Sequence, residues 1–298
     1  MKKSYFFLFL IFSLAIIFPS GCKKEKKKTE EKKKTTTTVE SKKTDSSEIK
    51  IFYLVPSPDD IFGFANAPDL HYDPTLPNPP ENLEKYDNTL LQELNFGIYS
   101  ADLAYCAAFG KKEETKKYLD AVKQLSDNIG LSDVFNESLI HRINNLGTNK
   151  DSLIAISNDT YFDIIRYLEK NNRINTLAIL AAGGWLETMY LVVNLTQYSK
   201  DNPTIQKIAD QKIIFNNLYK FLEQNLNDPN VKEVYNDFQN LKEIFDQLKI
   251  IETKDKHNMS IDNDKIIVGG NVKIVMNKEQ FIKLRNVINE TRKKFTLQ

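Results

Sequence analysis

Histidine is nearly missing from this chain, with three residues in 298, at positions 71, 141 and 257. Cysteine is scarcer still, with only Cys22 and Cys106. No histidine pair has the HExxH spacing or another metal-ligand spacing, so the sequence implies no metal site. Asp69, His71 and Asp73 in PDLHYDP alternate oxygen and imidazole ligands, but the set lacks a fourth partner. A single cysteine in the body excludes an internal disulfide framework. Cys106, in the apolar stretch ADLAYCAAFG, reads as a small core residue. The ten glycines form no GxGxxG, P-loop or GxSxG pattern. The commonest nucleotide-binding and hydrolase classes are set aside by that, and no cofactor is called for.

A strong charge of one sign is lacking too. The formal net charge is +1, but residues 23–50 hold eleven lysines against six acidic residues. What is left over 51–298 is 28 basic and 34 acidic residues, a net of −6. A mildly acidic body offers no basic patch for phosphates, so no nucleic-acid partner is expected.

The N-terminus carries the one long apolar run. Lys2 and Lys3 precede an apolar segment from Tyr5 to Phe18. It is shorter than the roughly 18 residues a spanning helix needs, so it reads as a secretory signal. The run ends in Pro19-Ser20-Gly21-Cys22, which resembles the lipobox of bacterial lipoproteins, with Pro19 where an aliphatic residue is usual. The resemblance implies that residues 1–21 are removed and that Cys22 takes a diacylglyceryl group and often a third chain such as palmitate. One acyl chain holds a protein only marginally, whereas two or three anchor it stably. The partner implied is membrane lipid through Cys22, in a bacterial envelope of the Gram-negative type. Residues 22–50, dense in Lys, Glu and Thr with Val39 as an isolated apolar residue, are expected to be a disordered tether.

The remaining 51–298 reads as one domain. Seven of the ten prolines fall between Ile51 and Tyr86, mixed with aromatics, which predicts an ordered but irregular arm. Apolar residues at three- and four-residue spacing then predict helices over about 88–110, 111–130, 136–147, 149–171, 173–198, 202–227, 228–248 and 278–295. Gly130 suits a C′ position, Asn149 or Asp151 an N-cap, and Pro203 and Pro229 a first helical turn. KIIVGGNVKIVM, with β-branched runs on both sides of Gly269-Gly270-Asn271, predicts a hairpin. The expected fold is mainly α, a single multi-helix antiparallel bundle with an irregular proline-rich arm and a small β-hairpin before the last helix.

Two of these helices carry small residues, Gly97, Ala101, Ala104 and Ala107 in one and Ala181, Ala182, Gly183 and Gly184 in the other. Glycine inside a helix costs about 0.5–1 kcal/mol, so the pattern predicts a close crossing in which Gly97 and Gly184 touch. Asp102 and Glu187 lie in the same helices, flanked by apolar residues. Buried carboxylates need partners, and Arg142 and Arg166 are embedded enough to supply them. Two carboxylates facing one cavity could instead do general acid–base work.

The ordered strings YLVPSPDD, LNFGIYSADLAYC, NKDSL and LAAGGWLE resemble a family of uncharacterised bacterial lipoproteins. That resemblance implies lipoprotein status and one fold across the body, and brings no catalytic residue. Two functions are then open: a lipid-anchored helical domain that binds a protein or small-molecule ligand, or an envelope hydrolase using Asp102 and Glu187 in an inter-helix cavity.

Overall fold

The computed structural model describes residues 63–64, 67, 70–146, 149–252, 260–262, 265–267 and 272–297. Cys22, the tether and the hairpin turn at 269–271 lie outside the described residues. Among the described residues nine α-helices follow an irregular arm: α1 (Thr89–Ala108), α2 (Lys112–Asn128), α3 (Glu137–Leu146), α4 (Lys150–Lys170), α5 (Ile174–Leu195), α6 (Pro203–Glu223), α7 (Pro229–Asp237), α8 (Gln239–Asp246) and α9 (Lys278–Thr296). The fold is mainly α, as its apolar periodicity predicts.

Helix ends follow local chemistry. Asn88, Asn149, Asn202 and Asp228 each accept a backbone N–H from the first turn, and the two helix-opening prolines follow directly on Asn202 and Asp228. Gly110 and Gly130 take positive φ just beyond α1 and α2, where a side chain would be strained. Asn277 and Gln280 form a reciprocal capping box on α9. The predicted helix over 228–248 is kinked at Phe238 into α7 and α8. Phe238 is fully buried at the kink, against the rings of Trp185 and Phe215.

Before α9 the described residues form two short antiparallel pairs, as the predicted strands before the last helix require, but the pairing expected across Gly269-Gly270-Asn271 differs. Strand β1 (Lys249–Glu252) pairs with β4 (Val272–Val275), and β2 (Ser260–Asp262) with β3 (Lys265–Ile267). The runs on either side of Gly269-Gly270-Asn271 are therefore strands of different pairs, not partners. Alternating β-branched residues marked the strands, but periodicity says nothing about which strand supplies the facing hydrogen bonds.

Helix α5 is the centre of the body, packed against α1, α4, α6, α7 and α9. Among the described residues it is the one helix long and apolar enough to cross a membrane, yet its most apolar stretch is 83% buried by the other helices. That identifies it as a core helix, apolar over most of its surface because most of that surface is covered. Trp185, Phe215, Phe238 and Phe245 cluster on one flank, with ring centroids 4.7–6.1 Å apart. Cys106 is a free, buried thiol in this core, pushed up to about 12 by burial.

Helices α1 and α5 approach so closely that two glycines admit no methyl group. A Cβ on Gly97 would overlap the Leu180 carbonyl oxygen and lie 2.6 Å from the Gly184 nitrogen; one on Gly183 would overlap the Leu94 carbonyl. Gly184 differs, since its nearest neighbour would be the Gly97 carbonyl oxygen at 3.6 Å, an ordinary contact. Gly97 and Gly184 meet at the crossing as expected, but the two positions with no room for a Cβ are Gly97 and Gly183.

Candidate functional site

The structure brings Asp102 and Glu187 together, as the sequence suggests, but seals them in. Both are fully buried. Glu187 is held by a third residue, Arg292 of α9, whose Nε donates to Oε2 at 2.8 Å and whose Nη2 donates to Oε1 at 2.9 Å. Bidentate geometry of this kind is the strong form of the pair. Arg292 also donates from Nη2 to the Leu76 carbonyl at 3.2 Å and lies 4.0 Å from the centre of the Tyr190 ring. Arg142 and Arg166, expected to neutralise the carboxylates, instead lie exposed beside Asp159 and Asp163.

Asp102 Oδ2 accepts from the Asn78 backbone N–H at 3.0 Å, while Oδ1 meets no donor among the described residues. Burial, and then the charge of Glu187, push the Asp102 carboxyl well above the usual carboxylate range, against the pull of Arg292. Burial therefore favours the protonated form of Asp102 beside the guanidinium–carboxylate pair of Arg292 and Glu187. A proton on Asp102 turns an orphaned acceptor into a donor.

A polar layer extends from this cluster and fastens the arm. Asn78 Nδ2 donates to the Tyr86 hydroxyl at 2.8 Å, Asn82 Nδ2 to Asn78 Oδ1 at 2.8 Å, and the Tyr99 hydroxyl to the Pro79 carbonyl at 2.8 Å. Asn95 Nδ2 reaches the Phe295 carbonyl at the end of α9 at 3.0 Å. These contacts join residues 76–86, α1, α5 and α9, which is what a structural cluster does.

A cavity lies on a different face of the same two helices. Its volume is about 180 Å³, and neither Asp102 nor Glu187 lines it. Helix α1 contributes Phe96, Gly97, Ser100, Ala101 and Ala104; α5 contributes Leu177, Leu180, Ala181, Gly184, Trp185 and Thr188. Helix α4 closes it with Ile156, Ser157, Thr160, Tyr161 and Ile164, and Gln211 of α6 forms one wall. Ser100, Ser157, Tyr161, Ala181 and Gly184 are only partly buried, so the cavity reaches solvent on that side.

Three of the wall hydroxyls turn inward to their own helices. Ser100 donates to the Phe96 carbonyl at 2.7 Å, Thr160 to Ile156 at 2.7 Å and Thr188 to Gly184 at 2.8 Å. Among the described residues the wall contains no Asp, Glu, His, Lys, Arg or Cys, so these bring no nucleophile and base together there.

The chain matches no family model, no curated protein and no solved structure. Its site must be read from its own chemistry. Among the described residues no three His, Cys, Asp or Glu side chains gather as metal ligands. Asp73 spends Oδ1 on the backbone N–H and hydroxyl of Thr75, at 2.9 and 2.7 Å, which makes it a turn residue. Arg292 is the residue that sequence reasoning missed. The signal was available, because Phe281, Leu284, Ile288, Arg292 and Phe295 recur at three- and four-residue spacing and put Arg292 on the apolar face of its helix.

Proposed function

We propose that this chain is a lipid-anchored protein of a bacterial cell envelope whose helical body binds a small ligand without transforming it. The anchoring half rests on the signal segment, the small residues before Cys22 and the resemblance to bacterial lipoproteins. The binding half rests on one observation: a cavity of about 180 Å³ stays open between α1, α4 and α5. Interiors are ordinarily packed with few voids larger than water, and an apolar void of roughly 150 Å³ already takes benzene or xenon. The carboxylate pair supports binding over hydrolysis, because Asp102 and Glu187 lie outside the cavity wall and Arg292 occupies Glu187.

Labelling with radioactive palmitate tests the anchor. The wild-type chain is expected to incorporate label and to be processed, whereas Cys22→Ser gives an unlabelled, full-length precursor. Label in the Cys22→Ser chain would overturn the lipoprotein reading.

A further inference from the structure

The cavity also carries information about what it holds. Gly97 and Gly183 are explained by the crossing, but Gly184 is not, since a Cβ there would meet only ordinary contacts. A glycine inside a helix is disfavoured relative to alanine, and although the Gly97 backbone runs alongside Gly184, a methyl group there would fit. What Gly184 does is widen the wall beside Ala181 and Ala101. The wall has no cation or anion to balance a charge, and a charge buried without a partner is strongly disfavoured. One polar group on the wall is different. Gln211 is 5% exposed, and its Oε1 accepts from Trp185 Nε1 at 3.0 Å. Indole nitrogen is a donor only, so this bond fixes the amide with oxygen toward Trp185 and nitrogen away from it. Gln211 is a residue of the cavity wall, and its Nε2 group makes no hydrogen bond to the described residues.

We infer that the cavity takes an uncharged, largely hydrocarbon molecule about the size of one substituted ring, which presents a single acceptor oxygen to the Gln211 Nε2 donors. The inference rests on the binding reading above and adds ligand class and orientation to it. Shape and apolar burial come from the small residues of α1 and α5. In the buried part of the wall polarity is recognised at Gln211, because a donor left unpaired on burial penalises a ligand lacking the acceptor, whereas Ser157 and Tyr161 lie on the side that reaches solvent.

Ethylbenzene and acetophenone share a skeleton and differ by one carbonyl oxygen, so they separate the two contributions. Both are titrated by ¹H–¹⁵N NMR into the wild-type chain and into Gln211→Met. Acetophenone should move the Gln211 side-chain amide downfield, and ethylbenzene should not. The preference for acetophenone over ethylbenzene should fall about three- to tenfold in Gln211→Met, the worth of one hydrogen bond. Taking the ratio within each variant cancels the greater water solubility of the ketone. If both probes bind at the cavity with no amide shift and the same ratio in both proteins, the Gln211 inference is wrong while the binding reading stands. If neither probe perturbs any cavity residue, the binding reading itself fails. The amide shift is read in wild-type protein, so the test survives a Gln211→Met chain that does not fold.

Discussion

Asp102 and Arg292 illustrate how a buried charge can be inexpensive or ruinous depending on one proton or one partner. Asp102 binds its proton more tightly folded than unfolded, because burial and Glu187 both oppose the carboxylate. The stability this brings is complete below the unfolded value of about 3.9 and drains away as the pH rises toward the folded value. Asparagine has the shape of the protonated acid and no proton to lose. Asp102→Asn is therefore expected to match or exceed wild-type stability near neutral pH and to flatten the fall in urea midpoint as the pH rises from about 4 to neutral. A loss of several kcal/mol at both pH values would mean that Asp102 works as a carboxylate. Arg292→Met should be far worse, since it strands Glu187 unpaired in the core, a defect that costs about 3–5 kcal/mol. Wild-type urea midpoints for Arg292→Met would contradict the ion pair. The carboxylates were legible in the sequence because each interrupts an apolar helix face. Their partner was overlooked because Arg292 sits in TRKK, a run that looks solvated until its helical phase is counted.

At the scale of the helices, the two glycines of α5 have opposite consequences. Gly183 and Gly97 lie where α1 and α5 meet backbone to backbone, so even a methyl group must push the helices apart. Gly183→Ala and Gly97→Ala are each expected to cost about 1–3 kcal/mol or more, as overpacking does. Gly184→Ala should be neutral or gain up to about 1 kcal/mol from helix propensity. Thermal melts of the three variants order them; a Gly97→Ala chain as stable as Gly184→Ala would show that the crossing is loose. Sequence alone showed that small residues line both helices, but not how the work is divided between contact and void. One residue along a helix turns a side chain by 100° about the axis, and only the packing fixes which glycine faces the neighbouring backbone. Helix spans and caps were readable for a simpler reason. Asn149, Pro203, Asp228 and Gly130 act on groups within a few residues of themselves, whereas the pairing of β1 with β4 joins segments with two other strands between them.

For the whole molecule, the account divides one pair of crossing helices between two tasks. The face of α1 and α5 toward α9 and the arm is fastened by Arg292, Asn78 and Asn95; the face toward α4 is left open. A ligand in the open face stabilises the fold by mass action, by about 2.7 kcal/mol when present at a hundred times its dissociation constant. Gly184→Leu would put a branched side chain on the cavity wall, where its Cβ meets the Gly97 backbone at ordinary contact distance. It should therefore fold and yet exclude the ligand. If the proposed ligand occupies the cavity in the cells that make the protein, native mass spectrometry of the full chain, extracted from those cells in mild detergent, tests it most directly. The account predicts a non-covalent small-molecule adduct on the wild-type chain that is lost from a folded Gly184→Leu chain. An adduct retained equally by both, or none on either, would contradict it.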